Sequence, residues 1–192
     1  AKYLTKGNRG ILFTCIYKNK KAAIKVKNIQ SKAIGRIENE AKYLKKLNRY
    51  KIGPKLLTVD NDYFIDEYID GDFIVDFLKK SNKSSIERAI KSIFSQLFTL
   101  DKLKIDKEEM HRPLKHIIVS KNKPCLIDFE RAHIVNRPKN VTQFCQFIIK
   151  KRIIKILKNK GIIIDRNEII QLAKIYKTAP SVSNLQKIIN LV

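Results

Sequence analysis

At 192 residues, 44% hydrophobic and 31% charged, the chain has apolar material for one substantial core or two small lobes sharing a cleft, which excludes a disordered class. The 41 basic against 18 acidic residues give a net charge of +23, which admits an RNA partner; 32 of the 41 are Lys, and with 31 Ile and no Trp the skew also fits an AT-rich coding bias. No apolar run approaches the roughly 20 residues of a membrane span, no secretory pattern opens the chain, and Cys15, Cys125 and Cys145 lack both metal-ligand spacing and an even count, so a cytoplasmic protein without a membrane partner is expected.

Ile11 to Tyr17 and Ala22 to Val26 are β-capable runs joined by the turn-like Lys18-Asn19-Lys20-Lys21. Ile34, Ile37, Ala41, Leu44 and Leu47 then recur at helical spacing, and Gly53-Pro54 closes that region. Leu56 to Val59 and Tyr63 to Ile69 read as a strand pair turning at Asp60-Asn61-Asp62. After Gly71 the pattern becomes helical. Ser84-Ser85-Ile86-Glu87 has capping-box spacing and opens a helix with Ile86, Ile90, Ile93, Leu97 and Leu100 on one face. Two short β-like runs, His116 to Val119 and Pro124 to Phe129, flank a turn at 120–122. One helix is expected from near Asn140 to Gly161, a second capped by Asp165 with Glu168 and stopped before Pro180, and a last from about Ser183. The class implied is α+β: a β-rich lobe with one helix over residues 1–69, a short hinge near 66–71, and a mainly helical lobe over 70–192.

Strand alternation puts Ala23 and Lys25 on one face of Ala22-Ala23-Ile24-Lys25-Val26. A Lys there can hold phosphates while the small Ala leaves room for a flat base; a solvated edge-strand Lys is the ordinary alternative. Glu40 weighs against that alternative. It lies three residues after Ile37 and four before Leu44, on the apolar stripe, where a carboxylate needs a partner; Glu38 points away from this face. Gly7 and Gly10, in Lys6-Gly7-Asn8-Arg9-Gly10, would let backbone N–H groups approach phosphate oxygens, or simply make a hairpin turn. Phe64 to Gly71 reads as a strand running into a glycine turn, whose exposed end offers main-chain groups to a purine edge. In Leu126-Ile127-Asp128-Phe129 an Asp closing an apolar strand caps a turn or meets a cation, and its hard oxygens suit Mg2+.

In this order the pieces resemble the protein-kinase-like superfamily: a Gly-containing loop, an Ala-x-Lys strand, a helix Glu, a Glu-Tyr-Ile hinge and a strand-borne Asp-Phe. Ala22-Ala23-Ile24-Lys25 resembles the family's V-A-I-K and Asp128-Phe129-Glu130 its D-F-G, over roughly residues 3–150. With 64 residues after Asp128, the chain is most similar to compact atypical kinases: the RIO kinases and the small kinase subunit of the complex that makes threonylcarbamoyl-adenosine on tRNA. It looks most like a short archaeal family described as predicted serine/threonine protein kinases. The resemblance implies a bilobal fold with a truncated C-lobe carrying the catalytic and metal-binding loops, and ATP and Mg2+ as cofactors. It implies that Lys25 holds the α/β-phosphates, that Glu40 orients Lys25, and that Asp128 binds Mg2+ bridging the β/γ-phosphates. Gly7 and Gly10 would lie over the phosphates, and main-chain groups of Glu67 and Ile69 would meet the adenine beside Ala23.

The catalytic loop departs from the family's H-R-D or H-G-D with Asn five residues after the Asp. Matching His111-Arg112 to H-R puts Pro113, which accepts no proton, where the base belongs. Anchoring on the following strand puts His116 at the metal-binding Asn and leaves Glu109, seven residues upstream, as the nearest carboxylate. Glu109 is then the general base, His116 a metal neighbour, and Lys115 a cation for the transferring phosphoryl group. Glu130 in place of the family's Gly resembles small-molecule phosphotransferases of the aminoglycoside and choline kinase type, and implies a fixed metal site. The expected activity is Mg2+-dependent transfer of the ATP γ-phosphoryl group to a protein Ser or Thr. The alternatives are a small-molecule phosphotransferase, and a nucleotide-binding pseudokinase or partner-binding subunit of an RNA-related assembly.

Overall fold

Strand-forming residues dominate the first part of the chain, and the first three strands pair in chain order. In the computed structural model, which describes residues 1–6, 10–28 and 35–192, β1 (Lys2–Lys6), β2 (Gly10–Tyr17) and β3 (Lys20–Lys27) form an antiparallel meander. β5 (Tyr63–Glu67) pairs with the other side of β3, and β4 (Leu56–Val59) lies outside β5, giving the order β1-β2-β3-β5-β4. Lys18 and Asn19 make the β2–β3 connection with φ of 48° and 61°, the left-handed pair that matches strand twist in a two-residue hairpin.

Helix α1 (Arg36–Leu47) packs on this sheet through Ile37, Ala41, Leu44 and Leu47, all buried, and Phe64, on the sheet face that carries Lys25, is buried as well. Each of the Ile and Leu side chains removed from water contributes about 1.5–3 kcal/mol. Ile34, the first residue of the expected stripe, lies outside the described residues. The strand expected to reach Ile69 ends at Glu67, where its pairing with β3 stops at Ala22; past that point the Lys21 ammonium lies 3.8 Å over the Tyr68 ring.

The first compact unit comprises Ala1–Asp70 and also Ile127–Ala132. Side chains of α1 hold the returning segment: Asn39 Nδ2 donates to the carbonyls of Glu130 at 3.0 Å and Ala132 at 2.9 Å, and Arg36 Nη1 to that of Glu130 at 3.3 Å.

The second unit comprises Gly71–Leu126 and His133–Val192. It contains α2 (Ile74–Lys80), α3 (Lys83–Lys102), α4 (Asn140–Ile148), α5 (Lys151–Lys158), α6 (Arg166–Thr178) and α7 (Val182–Ile189). Two small antiparallel sheets accompany them: β6 (Asp72–Phe73) with β8 (Ile117–Ser120) and β9 (Lys123–Leu126), and β7 (Ile105–Asp106) with β10 (His133–Ile134). Gly71 starts this unit because only a residue without Cβ fits there; an added methyl would run into the Val119 carbonyl.

Four boundaries differ from expectation. α3 starts at Lys83, capped by Asn82, whose side chain accepts from Ser85 N; Asn is as good a cap as Ser, and it comes first. The helix expected over 140–161 breaks at Ile149–Lys150, because Ile153 lies nine residues after Phe144 and would face the opposite side of one continuous helix. Restarting at Lys151 lets both residues be buried. The strand expected to run to Phe129 stops at Leu126, and α7 starts at Val182 behind a Ser181 cap.

A buried polar network fixes the loop after β7. Asn140, fully buried at the start of α4, donates Nδ2 to Asp101 Oδ1 and to the Ile105 carbonyl, both at 2.7 Å, and its Oδ1 accepts from Lys107 N at 2.9 Å. Tyr176 of α6 donates its hydroxyl to Asp101 Oδ2 at 2.9 Å. Gln143 Oε1 accepts from Met110 N, while Asp106 takes Glu108 N on one oxygen and Lys139 N on the other. Burial raises the Asp101 carboxyl, and the Asn140 and Tyr176 bonds oppose that rise. Tyr176→Phe removes one donor from a buried carboxylate and is expected to cost about 1–3 kcal/mol in urea unfolding. Asn140→Ala removes three contacts and should cost more; the reverse order would show that the network is not centred on Asn140.

Candidate functional site

Cross-strand register decides which side chains share a face of the first sheet. Lys25 stands opposite Leu12 and Phe64, and Ala23 opposite Thr14 and Asp66. Glu40, in the buried stripe of α1, is 4% exposed. Lys25 Nζ donates to Glu40 Oε2 at 2.5 Å, and Glu40 Oε1 accepts the Phe129 N–H at 3.2 Å. Lys25 Nζ also lies 3.5 Å from Asp128 Oδ1 and 3.6 Å from Glu130 Oε2. Glu38 instead meets Lys27 at 3.4 Å at the surface.

Burial works against the charged Lys25 amine, but the charges of Glu40, Asp128 and Glu130 outweigh it and hold the amine above its ordinary range. For Glu40 burial is the strongest influence and raises the carboxyl; Lys25 pulls it down and Asp128 pushes it up. Phe129 is fully buried and tied by its N–H, so Asp128 and Glu130 flank a fixed point and turn their carboxylates toward Lys25. Asp128 does so with φ of 64°, a left-handed conformation that Asp tolerates better than most residues.

Oxygens of Glu40, Asp128 and Glu130 lie within 4.8 Å of one another. Three carboxylates against one ammonium leave a formal charge of −2, and hard oxygen donors in that number suit a hard divalent cation such as Mg2+. Glu40 is committed to Lys25 and Phe129. Asp128 and Glu130 are therefore the residues that would hold the ion.

Gly10, buried at the start of β2, lies over the Lys25 stem: a Cβ there would sit 3.1 Å from Lys25 Cε. Gly7 lies outside the described residues. Ala23 is 9% exposed on the Lys25 face, Glu67 closes β5 at the surface, and Ile69 is half-buried two residues beyond. In the second unit Glu109 Oε2 stands 3.1 Å from His116 Nε2, and Lys115 is exposed. Glu108 and Glu109 both have positive φ, 65° and 59°, strain that the bonds from Asp106 and Gln143 sustain. The three cysteines form no disulfide; burial pushes the Cys145 thiol up to about 12, far from a nucleophile's range.

Sequence reasoning missed three residues. The carboxylate of Glu130 joins the cluster, where the sequence shows only a replaced glycine; its position two residues after Asp128 was the available signal. Asn39, next to Glu40 on α1, holds the segment that carries both carboxylates. Asp66, the cross-strand partner of Ala23, is pushed up to about 8, chiefly by burial and next by the Glu40 charge, with Lys25 opposing.

No protein-family model matches the sequence, and no curated protein matches it. Among solved structures, the autoinhibited serine kinase domain of the giant muscle protein titin is similar, with a TM-score of 0.59 and 19% identity. The likeness covers 71% of this chain and 46% of that one, so this chain spans less than half of its length. It shows the fold: protein-kinase-like and α+β, an antiparallel sheet-rich first part followed by a helical part. Among the described residues no helix is long and apolar enough to cross a membrane.

The Asp66 carboxyl makes stability depend on pH. Its folded value of about 8 lies above its ordinary 3.8, so the native state keeps a proton that the unfolded chain releases. That contribution is complete below about pH 4 and is lost as pH rises through about 8. Between those limits stability should fall with rising pH by at most about 1.4 kcal/mol per unit, less where solvent screens the half-buried group. Urea unfolding at pH 6 and pH 9 should show Asp66→Asn closing most of the gap; a gap unchanged by the substitution would exclude Asp66 as its source.

Proposed function

We propose that the chain binds ATP with Mg2+ and transfers the γ-phosphoryl group to a Ser or Thr hydroxyl of a protein. The observation that carries this reading is the closed linkage of Lys25, Glu40 and Phe129, with Asp128 and Glu130 beside it, on a protein-kinase-like fold. In this role Lys25 gives its ammonium to the α/β-phosphates while Glu40 keeps it aimed, and Gly10 leaves the nucleotide room above the Lys25 stem. Asp128 and Glu130 would hold Mg2+, which when bound would supply charge neutralisation at the phosphates. Main-chain groups of Glu67 and Ile69 take the adenine edge. Glu109, held by His116, accepts the proton of the attacking hydroxyl as the oxygen–phosphorus bond forms and ADP leaves, a role Pro113 cannot fill. Lys115, exposed, offers a cation to the group in transfer.

Incubation with Mg2+ and γ-labelled ATP tests the reading. Labelled protein acceptor is expected with the wild type, with a loss of about 100-fold or more for Asp128→Asn. Glu109→Gln should lose a comparable factor in rate while retaining thermal stabilisation by ATP. Stabilisation without transfer by the wild type would make the chain a nucleotide-binding pseudokinase; label on a small-molecule hydroxyl would make it the other kind of phosphotransferase. No stabilisation at all removes the ATP site.

A second observation favours RNA as a partner. From His133 to Ile164 there are eight Lys and Arg and no Asp or Glu. Within that run α5 buries Ile153 and Leu157 and turns Lys151, Lys155 and Lys158 to solvent, on one face at i, i+4 and i+7. RNA affinity should fall with salt, and replacing the three by Glu should reduce the log–log slope by about 2 or more. A wild-type slope of zero eliminates this surface.

A further inference from the structure

We propose that Asp66 reads the base of the bound nucleotide, pairing its carboxyl with the N6–N7 edge of adenine and so selecting ATP over GTP. The inference rests on the ATP-site reading above and adds a specificity residue to it. Register supplies the geometry. Asp66 is the direct partner of Ala23 and Phe64 that of Lys25, so one sheet face carries the phosphate-holding amine, the methyl that clears space for a base, and a carboxyl across from that methyl. If the main chain of Glu67 and Ile69 takes the N1–N6 edge, N6 is shared with the neighbouring edge, and N7 turns back along β5 toward residue 66.

The charged groups facing Asp66 are Glu40 from α1 and Lys25 from β3, with Glu67 beside it; from β4 its partner is the apolar Leu56. Lys25 reaches Glu40, Asp128 and Glu130 within ion-pair distance, and not Asp66. Burial dominates, and among the described residues no cation lies within ion-pair distance, so a carboxyl pushed up to about 8 keeps its proton at pH 6.5. A neutral carboxyl offers one donor and one acceptor in the same fork as an amide. Adenine presents the complement, an N6–H donor and the N7 acceptor, whereas guanine presents two acceptors, O6 and N7. Asn makes the same two-point pair with adenine, so Asp66→Asn should preserve the selectivity and Asp66→Ala should remove it.

The experiment measures calorimetric affinities of the full chain and both variants for Mg-ATP, Mg-GTP and Mg-7-deaza-ATP at pH 6.5, and for the two adenine nucleotides again at pH 9. At pH 6.5 the wild type and Asp66→Asn should favour ATP over both competitors by about 10-fold or more. Asp66→Ala, with folding verified by its thermal transition, should bring both ratios to within about 3-fold. At pH 9 the ionised wild-type carboxyl repels N7, and its preference for ATP over 7-deaza-ATP should vanish while that of Asp66→Asn persists. If the wild type binds ATP but Asp66→Ala leaves its ratios unchanged, base reading by Asp66 is wrong and the ATP site stands. If the wild type binds none of the three nucleotides, the ATP-site reading falls and this inference with it.

Discussion

A single carboxylate ties the first unit together. One oxygen of Glu40 holds the Lys25 amine and the other holds the main chain at Phe129, so a helix, a strand and a returning loop share one buried group. Such a carboxylate is costly unless both oxygens are satisfied, and here each has its own donor. The Asp128 and Glu130 carboxylates have defined positions because the residue between them is fixed from this side, while Asn39 and Arg36 fix the carbonyls that follow. Remove Glu40 and three negative or positive groups lose their common reference at once.

The second unit solves a different problem with neutral donors. Its loop from Ile105 to Met110 contains two successive left-handed glutamates, a conformation the backbone does not choose unaided. Asn140 and Gln143, one helical turn apart on α4, accept from that loop, and Asp106 accepts at the turn itself. Glu109 is therefore placed from the helix side, and His116, on the strand side, closes against it. The segment from Ile105 to His116, with Pro113 within it, keeps in this way a carboxylate in a set position.

Periodicity carried the parts of this structure that depend on one element at a time. Lys25 and Glu40 were legible because strand alternation and a helical stripe each place a charged residue on a face where it needs a partner. Asp128 was legible as a costly carboxylate after an apolar run, although the strand stops at Leu126, three residues earlier than expected. Glu130 and Asp66 were not. The role of each comes from what lies opposite, Lys25 in one case and Ala23 in the other, and register between strands or across a returning loop leaves no trace in local spacing. The break between α4 and α5 escaped for a related reason: each half is periodic, and only the nine-residue step from Phe144 to Ile153 shows that the two phases disagree.

The two partners of Glu40 lie 15 and 89 residues from it in the chain. On the ribosome, at about 5–20 residues per second, the sheet and α1 emerge several seconds before Phe129 is made, and for that interval the first unit has its lysine but not its loop. The second oxygen of Glu40 must then be served by water. The 70-residue piece can collapse early, yet its stable form waits for a six-residue segment delivered after much of the other unit has been synthesised. A nascent chain stalled between residues 70 and 126 would present this half-satisfied state to chaperones and proteases, and the state ends only once the Ile127–Ala132 segment has left the ribosome.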